Sequence, residues 1–248
     1  MKNVFEPQRV QAICFDIDGT LVDTDDAYVQ RLAHALRPLR FLYQEEKRRA
    51  LARRLVMAAE TPTNAILSLL DRLSLDQALR PMLDALHRMR GEANPQHLQL
   101  IPGMRAVLEA LMARYTLAIV TARERRSTET FLRATNLEAL FRCVATAYTP
   151  FGSALNRRTK PHPAPVMWAA AQMGIPPQAC LMVGDTTVDI RAGVAAGAQT
   201  VGVLCGFGER GELERAGADL ILESTTELAD VLLADLERPK DQGSGTRD

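Results

Sequence analysis

Apolar positions near the start of the chain gather in a short run at 10–15 (VQAICF), which ends abruptly in Asp16, Asp18, Gly19 and Thr20. A short, mostly apolar run that ends abruptly in a polar loop is the pattern of a buried parallel strand. From Asp25 to about Arg90 the pattern changes: apolar residues recur at helical spacing, as at Ile66, Leu67, Leu70 and Leu73, and no glycine occurs before Gly91. Thr61 followed by Pro62, and Ser74 with Gln77 three residues on, supply helix starts. The spacing therefore predicts an all-helical block over 24–98, and the Pro-, Gly- and Asn-rich stretch 91–103 reads as its return linker.

Beyond the linker the periodicity alternates. It predicts helices at 105–114, 127–135, 163–173 and 189–196, with strands at 116–121, 143–147, 180–183 and 200–204. Such alternation predicts an α/β fold, a parallel sheet with helices on both faces. The helical block interrupts it after its first strand. The expected division is a core of 1–23 and 99–238, an insertion of 24–98, and a polar, disordered tail of 239–248.

Composition narrows the function classes. A chain of 248 residues accommodates one sizeable core plus an insertion, and 47% hydrophobic with 24% charged residues excludes a disordered or a membrane protein. Thirty basic and thirty acidic residues cancel, which removes the electrostatic reason to expect nucleic acid or anionic lipid as partner. Cys14, Cys143, Cys180 and Cys205 lie far apart in apolar segments, with no C-x-x-C pair, so neither a zinc site nor a disulfide framework is expected. No signal peptide or apolar span is evident. The expectation is a reduced, soluble, cytoplasmic protein; its oligomeric state leaves no mark on the pattern.

Chemistry is expected where ligands bind an open parallel sheet, outside the carboxyl ends of the strands. The polar residues there are Asp16 and Asp18 after the first strand, Thr121 after the second, and Asp185 with Asp189 after the run CLMVG. Four carboxylates at one edge repel one another unless a cation sits among them, and oxygen-only ligands favour Mg²⁺. Lys160, in a loop ahead of a helix, reaches the same rim. A carboxylate nucleophile, a neighbouring carboxylic acid, a hydroxyl, an ammonium and a metal suit phosphoryl transfer.

These residues carry a resemblance. The series Asp16-Ile-Asp18-Gly19-Thr20-Leu21-Val22-Asp23, then Thr121, then Lys160-Pro161, then Gly184-Asp185-Thr186-Thr187-Val188-Asp189 resembles the four ordered motifs of the haloacid dehalogenase superfamily. The insertion after the first motif looks like the helical cap of its phosphoglycolate phosphatase and β-phosphoglucomutase-like branch. The resemblance implies a Rossmann-like, doubly wound parallel sheet and a Mg²⁺-dependent phosphatase of a small phosphorylated metabolite, working through an aspartyl-phosphate. By the same similarity Asp16 is the nucleophile and Asp18 the general acid and base. Thr121, with the amides of Ala122 and Arg123, binds the phosphoryl oxygens, and Lys160 neutralises charge. Asp16, the backbone carbonyl of Asp18 and Asp185 hold the metal, with Asp189 an outer metal partner or an orienter of Lys160. The Thr-Ala-Arg at 121–123 departs from that branch, so Arg123 either contacts substrate or caps the following helix.

Other readings stand beside these. Asp16 and Asp18 also fit a strand-end turn, and Asp189 a helix N-terminal charge. His162 reads as a solvated loop residue; His34, His87 and His97 as surface or packing residues; and 47–54 (KRRALARR) as a solvated helix face. Gly206-Phe-Gly208-Glu-Arg-Gly211 matches a dinucleotide fingerprint, but the spacing to the next strand leaves no room for a crossover helix, so it is expected to be a glycine loop. A phosphomutase, a non-catalytic phosphate-binding regulator and a nucleotide-cofactor oxidoreductase are the rival functions.

Overall fold

The computed structural model describes residues 4–22, 99–147, 149 and 159–234. The expected helical insertion over 24–98, with its helix starts, histidines and cationic run, lies outside the described residues, as does the tail 239–248.

Six short strands form one parallel sheet: β1 (Ala12–Phe15), β2 (Thr116–Val120), β3 (Cys143–Ala145), β4 (Cys180–Gly184), β5 (Gln199–Val203) and β6 (Leu220–Leu222), in the order β3-β2-β1-β4-β5-β6. The helices are α1 (Met104–Met112), α2 (Arg125–Ala134), α3 (Ala164–Met173), α4 (Thr187–Ala196), α5 (Arg210–Ala216) and α6 (Leu228–Leu233). The chain builds outward from β1 through β2 to β3, then returns to place β4 against the other edge of β1. The strand direction of growth reverses there, and in doubly wound sheets that reversal opens the ligand crevice.

The two faces of the sheet are filled differently. Ile13, Phe15, Leu117, Ile119, Leu181, Val183, Val201 and Val203 point to one side, where they meet Met104, Leu108 and Leu111 of α1, Phe131 of α2 and Leu228 and Leu232 of α6. Their neighbours Ala12, Cys14, Ala118, Val120, Cys180 and Met182 point to the other, against Val166, Ala169 and Ala170 of α3 and Ala192 and Ala196 of α4. This is the period-two alternation of a sheet buried on both faces. All four cysteines are free thiols.

One expectation is corrected. The stretch after Gly211 does hold a crossover: α5 begins at Arg210, inside the glycine motif, and β5 and β6 pair in parallel. Two helical turns closed by Gly217 in the left-handed region (φ 101°) fit where a longer helix would not. Glycines 206 and 208 still belong to the loop before it, and they have another task described below.

Candidate active site

Strand register levels the functional residues. Phe15 lies opposite Ile119 on one side and Val183 on the other, so Asp16, Val120 and Gly184 come next in line, with Thr121 and Asp185 one residue beyond. The ladder continues past the strands: the Asp16 amide donates to the Val183 carbonyl at 3.0 Å and that of Thr121 to the Ala145 carbonyl at 2.9 Å. These side chains therefore emerge from rigid backbone.

Asp16 is buried, and its Oδ1 lies 2.8 Å from Lys160 Nζ. The same ammonium meets Asp189 Oδ1 at 2.5 Å. The second oxygen of Asp189 accepts the Thr186 amide at 3.1 Å and the Thr186 hydroxyl at 2.5 Å, because Asp189 stands three residues after the residue that caps α4. Asp189 thus caps its helix and orients Lys160 with the same carboxylate. Burial pushes the Asp16 carboxyl up to about 7; Lys160 opposes this, while Asp189 and Asp18 add to it. For Lys160 burial acts downward, but Asp16 and Asp189 outweigh it and hold the ammonium above its ordinary value.

Asp185 is fully buried and accepts the Phe207 amide on Oδ2 at 2.8 Å, with the Thr20 hydroxyl 3.5 Å from Oδ1. Two glycines make its seat. A Cβ on Gly19, whose φ is +72°, would come 2.3 Å from Asp185 Oδ2, and a Cβ on Gly206 would come 2.1 Å from the same oxygen. Gly208 likewise borders the Asp185 backbone oxygen. This close approach, not a dinucleotide, accounts for the glycines of that loop. One carboxylate oxygen from each of Asp16, Asp185 and Asp189 lies within 4.8 Å of the other two. Three buried carboxylates against one ammonium leave an excess of negative charge with oxygen donors only, which fits a hard divalent cation.

Asp18 is not part of that carboxylate cluster. Its side chain turns to Arg123, whose Nε donates to Oδ2 at 2.6 Å and whose Nη2 donates to Oδ1. This corrects the expectation that four carboxylates converge: the cluster among the described residues holds Asp16, Asp185 and Asp189. Of the two expectations for Arg123, the helix cap is corrected: α2 has no side-chain cap, and the Arg123 side chain holds Asp18. Thr121 is buried and its hydroxyl accepts the Arg123 amide at 3.2 Å. His162 takes the place of a cap on α3, its Nδ1 accepting the Ala164 amide at 3.0 Å.

Sequence reasoning missed Thr20, Thr186, Gly206 and Phe207 as supports. Thr186 was within reach, since Thr-x-x-Asp ahead of a helix is a capping signal. The others come together only through the fold. No helix among the described residues is long and apolar enough to cross a membrane.

Comparison with known proteins agrees with this geometry. The family described as haloacid dehalogenase-like hydrolase matches residues 13–203. The phosphoglycolate phosphatase of Escherichia coli K12 is 28% identical over 246 residues, covering 93% of this chain and 94% of its own. Pyrophosphatase PpaX of Anoxybacillus flavithermus is 27% identical over 228 residues, covering 90% and 97%. A HAD family hydrolase from Deinococcus radiodurans R1, solved with bound phosphate and sodium, matches with a TM-score of 0.64 at 25% identity, covering 91% of this chain and 96% of that one. The family match spans most of the chain and takes in the whole crevice between β1 and β4, so this chain belongs to the haloacid dehalogenase-like hydrolases.

Proposed function

We propose that the protein is a Mg²⁺-dependent phosphatase that hydrolyses a small phosphorylated metabolite, of phosphoglycolate or sugar-phosphate type, through an aspartyl-phosphate on Asp16. The observation that carries this is the Asp16–Lys160–Asp189 chain at the sheet's crevice: a buried carboxylate, held by an ammonium whose position is itself fixed. A relative named phosphoglycolate phosphatase and one named pyrophosphatase, each aligned over nearly its full length, support the substrate class.

An oxygen of Asp16 attacks phosphorus and the ester bond to the leaving group breaks, while Asp18 gives its proton to the departing alkoxide. A water then attacks the phosphoryl group and Asp18 takes its proton, so inorganic phosphate leaves and the Asp16 carboxylate returns. Thr121 and the amide of Ala122 bind the phosphoryl oxygens, the Arg123 amide holds the Thr121 hydroxyl in place, and Lys160 offsets the phosphoryl charge. Asp16, Asp185 and the main-chain carbonyl of Asp18 would hold Mg²⁺, which supplies positive charge beside the transferred group. Asp189, with its oxygens engaged by Thr186 and Lys160, serves to position Lys160.

The test is inorganic phosphate release from a panel of phosphorylated metabolites, with Mg²⁺ or with chelator, for the wild type and Asp16→Asn. Metal-dependent release that falls at least about 10⁴-fold in the variant is the expected result. A folded wild type that releases phosphate from no member overturns the proposal, and undiminished release by Asp16→Asn overturns the assigned nucleophile.

A further inference from the structure

The grip of Arg123 on Asp18 is built into the fold. The Arg123 side chain is 11% exposed against 39% for Asp18, and its guanidinium carbon lies 5.3 Å from the ring centroid of the buried Phe131 on α2. The main chain of Arg123 is pinned on both sides, its amide donating to Thr121 Oγ1 at 3.2 Å and its carbonyl accepting the Ala147 amide at 3.1 Å. Both carboxylate oxygens of Asp18 are taken by the fork. On the reading of Asp18 as acid and base, a carboxylate so held is badly placed to hand a proton to a leaving group.

Opening the fork takes the carboxylate away from a guanidinium that is nearly buried, a costly change unless another anion takes the place of Asp18. A planar guanidinium matches carboxylate and phosphate alike, two donors to two oxygens. We infer that Arg123 exchanges Asp18 for a second anionic group of the substrate, so that a phosphate ester carrying a neighbouring carboxylate or phosphate frees Asp18 as it binds. The inference rests on the phosphatase function proposed above and names its substrate class: small phosphate compounds with a second anion beside the scissile bond. A substrate with a neutral leaving group leaves the fork closed.

The test compares phosphoglycolate and pyrophosphate with 2-hydroxyethyl phosphate, which has the size of phosphoglycolate but a hydroxymethyl group in place of the carboxylate. The readout is the ratio of kcat/KM values within each variant, which does not depend on how much of the protein is folded. The wild type is expected to prefer at least one of the bis-anionic substrates by roughly 10- to 100-fold, the size of a charge-assisted fork. Arg123→Ala should bring that ratio close to one and raise turnover of 2-hydroxyethyl phosphate, while Arg123→Lys, with the charge but not the fork, should fall between. Preference for phosphoglycolate alone or for pyrophosphate alone tells which anion the fork takes. An equal loss on all substrates in Arg123→Ala, or a wild type that does not discriminate, overturns the inference and leaves the phosphatase function standing. Absence of phosphate release from every compound by the wild type overturns the function itself.

Discussion

The two halves of the site are built on opposite terms. On the inner side Asp16, Lys160, Asp185 and Asp189 are all less than a tenth exposed, and each charge is fixed by a strand end, a helix cap or a glycine seat. On the rim a single ion pair, Arg123 with Asp18, joins a nearly buried cation to a carboxylate that solvent reaches. Buried charges cost several kcal/mol each to desolvate and are tolerated only when paired; a pair exposed on both sides is worth about 1 kcal/mol or less, and the rim pair, open to water on its carboxylate side alone, lies between these cases. The inner half is therefore coupled to the stability of the domain, whereas the rim can exchange partners without unfolding anything.

Removing the inner cation breaks this contrast most severely. Lys160→Met leaves Asp16 and Asp189 facing each other unneutralised, and we expect a loss of about 3–5 kcal/mol in urea unfolding measured in chelator at pH 8. Turnover should fall as well, because the charge on the transferred group loses its counterpart. Saturating Mg²⁺ should restore part of the stability but not the turnover. A variant as stable as the wild type in chelator would show that the inner chain of charges is not what the domain depends on.

The rim answers differently. Asp18→Asn removes the proton carrier, so kcat should drop about 10²–10⁴-fold, while the unfolding free energy should fall by about 1–2 kcal/mol, less than in Lys160→Met, because the nearly buried guanidinium keeps a neutral amide oxygen as acceptor in place of the carboxylate. Steady-state phosphate release beside urea unfolding of the same samples tests this. A destabilisation equal to that of Lys160→Met would erase the distinction between the halves.

How far the sequence reveals each half follows the same division. Asp16, Thr121 and Asp185 were legible because each directly follows an apolar run, and parallel register then brings all three to one edge. Lys160 and Asp189 were legible as residue types in motif order, although the expected start of the last helix at Asp189 falls two residues late. Thr187 opens α4 because Thr186 and Asp189 cap it together. The Arg123–Asp18 fork was not legible, since it joins residues 105 apart in the chain through side-chain directions that no local pattern encodes. The glycine seat of Asp185 was hidden for a like reason: Gly19 and Gly206 meet only after the sheet closes, and Gly206 sat within a motif that suggested a different ligand.

That seat offers a narrower probe of the inner half. In Gly206→Ala the new Cβ lands 2.1 Å from Asp185 Oδ2, a distance that forces the carboxylate to shift. We expect the Mg²⁺ concentration for half-maximal activity to rise about 10- to 100-fold, the usual effect of disturbing the partners that orient a metal ligand, with the effect on the Arg123 substrate ratio small by comparison. Isothermal titration of Mg²⁺ into the two proteins gives the affinity directly. Unchanged affinity would remove Asp185 from the metal site.

The gentlest perturbation is pH. Asp16 is raised from 3.8 to about 7, so between these values the folded state binds a proton that the unfolded chain has released. Its contribution to stability is complete below about pH 4 and is lost as pH rises through 7. Lys160 is held charged above its ordinary value and stays charged throughout this window, so the slope belongs to Asp16. Other carboxylates titrate in the same range, and Asp16→Asn serves as the reference that cancels them. In chelator, the melting temperature of the wild type minus that of the variant should decline by a few degrees from pH 4 to pH 8. In saturating Mg²⁺ the wild type should instead gain with rising pH, because the ion and the proton compete for the same oxygen. A difference that stays flat in chelator would mean that Lys160 fully offsets the burial of Asp16, and the inner half would then owe its stability to that pair alone.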